Sequence, residues 1–151
     1  MRTPGATGDF DLSSPITIQG VTAATSIVDA NFIDRAFDLH ADAALTLMNA
    51  TVRNGFTAGQ GGAIAAEVAG TSVTATNVVF QGNNSQGAGG AASAVNGGTL
   101  VIQRSTFVDN LAPQGGALYF YDSGIAPSST ACSTTTARNM AARSRPISRP
   151  S

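Results

Sequence analysis

The tripeptide Gly-Gly-Ala occurs at Gly61-Gly62-Ala63, Gly89-Gly90-Ala91 and Gly115-Gly116-Ala117, at intervals of 28 and 26 residues. A glutamine lies just ahead of each copy (Gln60, Gln86, Gln114) and an apolar stretch follows. Further along, Phe-x-x-Asn appears twice, at Phe80-Gln81-Gly82-Asn83 and Phe107-Val108-Asp109-Asn110. A near-constant period in this range marks a repeat array. Such an array offers a long surface rather than one deep pocket.

Laying the units over one another sets a register. Leu45, Val73 and Leu100 align; so do Leu47, Ala75 and Ile102, and Val52, Phe80 and Phe107. Every column is apolar, and the neighbours Thr46, Thr74 and Val101 are polar or β-branched, the period-two pattern of half-buried strands. Each unit then holds three short strands: one after Gly-Gly-Ala, one around Leu100-Val101-Ile102, and one around Thr106-Phe107-Val108. Three such strands bury little alone. Stacked on the next copy, about 4.8 Å away, their inward residues form continuous ladders. The expected fold is an all-β, right-handed parallel β-helix of about four coils. Leu45, Leu47, Val52, Val73, Phe80, Leu100, Ile102 and Phe107 should point inward.

Strand patterning starts at Pro15-Ile16-Thr17-Ile18-Gln19-Gly20 and continues through Ser26-Ile27-Val28-Asp29 and Ala36-Phe37-Asp38-Leu39. The expected organisation is a flexible lead-in over 1–13, repeats over 14–124, and a disordered Ser/Thr/Arg/Pro-rich tail over 125–151. Coils are expected at about 14–34, 35–60, 61–88 and 89–114, with a fifth opening at Gly115-Gly116-Ala117-Leu118 and breaking off. A break in mid-coil fits a fragment or a shifted reading frame after about residue 124, and it leaves open coil ends through which the chain should self-associate. The glycine pairs suit sharp corners. The asparagines (Asn83, Asn110 and, loosely, Asn54) suit turn positions and could stack as an amide ladder.

Composition agrees. Only 11% of residues are charged, against about 25% in an average domain, and small residues suit tightly stacked strands better than a helical bundle. Lysine is absent, and the formal net charge is −1, so no global field recruits nucleic acid. Acidic residues lie in the body, whereas Arg138, Arg143, Arg145 and Arg149 lie in the tail. Cys132 is the one cysteine, too few for an internal disulfide or a zinc site. No apolar run reaches the roughly 18 residues of a membrane span. Met1-Arg2-Thr3-Pro4-Gly5 lacks a signal-peptide h-region, so export is not encoded in the chain as given.

The pairing of Gly-Gly-Ala-(Ile/Leu) with Phe-x-x-Asn resembles the repeats of polymorphic outer-membrane proteins, and more broadly bacterial cell-surface β-helix repeats. The resemblance covers roughly residues 14–121. It includes Ile16-Thr17-Ile18-Gln19-Gly20, Ala44-Leu45-Thr46-Leu47 and Val52-Arg53-Asn54-Gly55, the last standing where Phe-x-x-Asn belongs. It implies an exported, surface-displayed protein with a structural or adhesive role, and a cell-surface glycan or protein as partner.

Parallel β-helices also host polysaccharide lyases and hydrolases, whose acidic residues cluster on one strand face. Here Asp29, Asp34, Asp38, Asp42, Glu67, Asp109 and Asp122 are scattered. Asp109 aligns with Gly82 and Glu67 with Ala94 or Val95, so no acid column is expected. Arg35, Asp38, His40 and Asp42 form the densest polar group, a candidate for catalysis whose ordinary role is a solvated turn. Gly115 to Asp122 departs from a calcium β-roll repeat, and Thr46, Thr74 and Thr76 make no regular two-rank ice-binding array. Of Tyr119, Phe120 and Tyr121, one or two must face outward, where a tyrosine can stack on a sugar ring. The expectation is a non-enzymatic scaffold or adhesin with no assigned catalytic, cofactor-binding or metal residues. The alternative is a fragment of a carbohydrate-active β-helix enzyme.

Overall fold

The computed structural model of the protein describes residues 8–122 and 134–135. Among these the chain is all β. The first coil holds β1 (Phe10–Leu12), β2 (Ile16–Gln19) and β3 (Ile27–Asp29). The second holds β4 (Phe37–Leu39), β5 (Ala44–Met48), β6 (Thr51–Arg53) and a two-residue β7 (Phe56–Thr57). The third repeats this with β8 (Ile64–Ala66), β9 (Ser72–Thr76), β10 (Val79–Gln81) and β11 (Asn84–Ser85). The fourth has β12 (Ala92–Val95), β13 (Thr99–Gln103) and β14 (Thr106–Val108), after which come β15 (Leu118–Tyr121) and β16 (Thr134–Thr135).

Each strand pairs in parallel with its equivalent one coil away. The three main sheets run β1-β4-β8-β12-β15, β2-β5-β9-β13 and β3-β6-β10-β14-β16, with β7-β11 beside them. This is a parallel β-solenoid of about four turns. The register is the one the apolar columns predict: Leu45 pairs with Val73 and Val73 with Leu100, and Phe80 lies between Val52 and Phe107. All eight predicted inward residues are buried, none more than 7% exposed. The Phe80 and Phe107 rings stack in adjacent coils, centroids 5.1 Å apart and planes 9° from parallel.

The corners are also stacked. Four columns carry left-handed backbone: Asp42, Gly70 and Gly97; Asn49, Asn77 and Arg104; Asn54, Gly82 and Asp109; Gly61, Gly89 and Gly115. Asn, Asp and Gly are the residues that adopt this region at least cost. In the Gly-Gly pair the two residues do different work. The first supplies the positive φ, +67° at both Gly61 and Gly89. The second lets two coils touch: a Cβ on Gly90 would lie 2.1 Å from the Gly116 carbonyl oxygen.

Two expectations are corrected. First, the lead-in is not flexible up to residue 13. Phe10–Leu12 pairs in register with Phe37–Leu39, and the Phe10 and Phe37 rings stack at 5.8 Å. A three-residue strand shows no period of its own, yet the next coil supplies its ladder. Second, the asparagines of Phe-x-x-Asn do not take the left-handed turn position, which the preceding residue does (Gly82, Asp109). Asn83 and Asn110 are instead buried. Asn83 Nδ2 donates to Asn110 Oδ1 (2.9 Å) and to the Val52 carbonyl (3.1 Å), and Asn110 Nδ2 donates to the Phe80 carbonyl (2.9 Å). The amide ladder exists, but its third member is Gly55, not Asn54: Gly55 N–H donates to Asn83 Oδ1 at 2.8 Å. Each asparagine thereby satisfies backbone groups that a turn would orphan, at about 1–3 kcal/mol per buried group. Thr134–Thr135 pairs with Phe107–Val108; the rest of the expected tail over 125–151 lies outside the described residues.

Candidate functional site

The outward side of the first sheet gathers the polar chemistry. Parallel register stacks Asp11 on Asp38, Asp38 beside Ala65, Ala65 beside Ser93 and Ser93 beside Tyr119. Period two along β4 places His40, the residue after the strand, on the same side as Asp38. This corrects the expectation that no acids stack: two do. The Phe-Asp-Leu sequence occurs at both 10–12 and 37–39, an interval of one coil, and that signal marks Asp11 as the partner of Asp38.

His40 Nε2 lies 2.9 Å from Asp11 Oδ1, with the imidazole about half exposed and Asp11 mostly covered. Asp38 Oδ1 accepts from Arg35 Nη1 at 3.3 Å. Arg35 is itself buried, an unusual state for a guanidinium. Its Nη2 donates to Thr57 Oγ1 at 3.2 Å, while its Nε meets no hydrogen-bond acceptor. The neighbouring Asp34 Oδ1 accepts the Arg35 backbone N–H. Thr57 belongs to β7, so the short extra strand pair shapes the floor under Arg35. Asp42, grouped with these residues by sequence proximity, occupies an exposed left-handed turn with φ 64°.

Glu67 sits one coil beyond and accepts from Ser93 Oγ at 3.0 Å. Burial pushes its carboxyl above the ordinary range; the Ser93 hydrogen bond and the Arg35 charge oppose this in part, and Asp38 adds to it. A carboxyl raised in the folded state binds protons that the unfolded chain releases, so its contribution to stability falls as pH rises from the ordinary carboxyl range through the raised value. Glu67→Gln, which keeps an acceptor for Ser93, should therefore raise the melting temperature at neutral pH and leave it unchanged below pH 4. Melts across that range check this; a gain of equal size at all pH values would show that ionisation is not the cause.

The remaining surface is plainer. Thr17, Thr46, Thr74 and Val101 form one outward column on the second sheet. On the third sheet Asp29 faces Arg53, with Arg53 Nε 2.8 Å from Asp29 Oδ2. Hydrogen bonds from Asn54, the Asn31 backbone and Arg53 hold the Asp29 carboxyl below its usual range. Tyr119 and Tyr121 stack on Ser93 and Val95, and Tyr121 is about half exposed, whereas Phe120 packs on the core. An open groove lies at the first coil, lined by Asp9, Phe10, Asp11, Ser13, Ile16 and His40. No helix among the described residues is long and apolar enough to cross a membrane.

No protein-family model, curated protein or solved structure matches the chain.

Proposed function

We propose that this chain is a non-enzymatic β-solenoid segment of an exported surface protein, serving as scaffold or adhesin, and related to the polymorphic outer-membrane repeats. One observation carries the reading: the residues that define the repeat are spent on stacking coils. The glycine pairs permit contact between coils, the phenylalanines fill the interior, and the asparagines bond one coil to the last. The outer face of the second sheet, built on threonine and other small or polar residues, suits a load-bearing rod. Its partners are a cell-surface glycan or protein, with tyrosines at one end of the first sheet available to stack on a sugar. The second reading, a carbohydrate-active fragment, is favoured by the Asp11–Asp38 stack with His40 and Arg35 beside it.

One experiment separates them. The purified chain is applied to immobilised glycans and to whole cells, and incubated with soluble polysaccharides while new reducing ends are counted. Saturable attachment without chain cleavage is expected. Release of reducing ends that disappears in Asp38→Asn would replace the scaffold with an enzyme.

A further inference from the structure

We propose that Asp11, Asp38 and His40 form a binding site for a divalent transition metal ion, with zinc the best fit. Each of the three residues offers one ligand atom, and these atoms lie within 4.8 Å of one another. The arrangement comes from strand geometry rather than from a mobile loop. Parallel pairing sets Asp11 beside Asp38, and period two sets His40 on the same side of the chain.

Charge supports the assignment. Two like charges in register on neighbouring strands cost stability. Each carboxylate has a nitrogen partner instead of standing bare against the other: the Arg35 guanidinium on Asp38 and the His40 imidazole on Asp11. Arg35 is buried and bonded to Thr57, so it holds its carboxylate in place; hydrogen bonds of this kind orient metal ligands. The imidazole is about half exposed and borders the open groove at the first coil, which gives an ion a path in. On binding, the metal takes the place of the hydrogen bond between His40 Nε2 and Asp11 Oδ1.

The donor set selects the ion. Calcium takes six to eight oxygens, and two carboxylates fall well short. An imidazole nitrogen with two carboxylate oxygens suits zinc, with water completing a tetrahedron. Ligands at about 2 Å from a tetrahedral ion stand roughly 3.3 Å apart.

The test uses the full chain carrying Cys132→Ser, which removes the one thiol as a competing ligand. Calorimetric titration with zinc chloride should show one ion per chain, and the melting temperature should climb with zinc concentration. His40→Ala and Asp38→Asn should each weaken zinc at least tenfold. Asp29→Asn, which alters an acid on another face, should bind as the parent does. Because His40 is half exposed, its alanine variant keeps the fold, and a metal-free melt of each variant verifies that. Absence of saturable zinc uptake by the parent would overturn the site. So would unchanged affinity in both His40→Ala and Asp38→Asn, or calcium binding more tightly than zinc.

Discussion

Replacing Phe80 by alanine is expected to cost about 3–5 kcal/mol of folding stability, and Phe107→Ala a similar amount. Both rings are essentially inaccessible, and they stack face to face across one coil spacing. Phe80 also lies over Val52 in the same column, so its loss opens a cavity closed above and below. The ladder hydrogen bonds on either side hold the coils at strand spacing and prevent collapse into that space. Because the rings touch, the two losses should not add: the double variant should depart from the sum by about 0.5–1.5 kcal/mol. Urea unfolding measures all three. Losses below about 1 kcal/mol for both single variants would contradict the observed packing.

The second large effect is expected from one methyl group. Gly90→Ala places a Cβ 2.1 Å from the Gly116 carbonyl oxygen and 2.6 Å from the Leu111 nitrogen. Gly62→Ala meets the Gly90 carbonyl oxygen, also at 2.1 Å, and Asn84 backbone at 2.7 Å. Relief requires the coils to part, because the atoms struck are backbone rather than the ends of flexible side chains. Overpacking typically costs about 1–3 kcal/mol and occasionally more, and here it also pulls at the ladder bonds of both neighbours. Each variant should melt well below the parent or fail to fold. Gly59→Ala, where the nearest atom to a new Cβ is 3.4 Å away at the end of Arg35, serves as the mild control. Equal behaviour of Gly90→Ala and Gly59→Ala in thermal melts would refute the contact.

The interior was legible residue by residue. A period near 27 states which strand lies on which, and period two within each strand states which side chains face in; together they place Leu45, Val73 and Leu100 in one ladder before any coordinates exist. The glycine pairs were legible as corners for the same reason. An asparagine ladder was also foreseeable, but not its pattern. That Asn83 reaches Gly55 and Val52 rather than forming a turn depends on backbone groups one coil away, and no local rule reveals which of them lack partners.

The candidate site lay mostly beyond the sequence. By sequence Asp11 falls in a lead-in, because three residues are too few to show alternation; only the repeated Phe-Asp-Leu hints otherwise. Arg35 and Asp42 both lie within one short stretch around Asp38, yet one is buried and bonded to Thr57 while the other stands exposed in a turn. The difference is made by β7, a two-residue strand with no pattern of its own. By itself, then, the sequence determined the repeat, the register and the buried columns, because these follow from periodicity and the burial of apolar surface. Tertiary structure alone decided which polar groups meet on the outer face. Outward side chains carry no periodic constraint, and their neighbours come from other coils and loops brought together only when the stack closes.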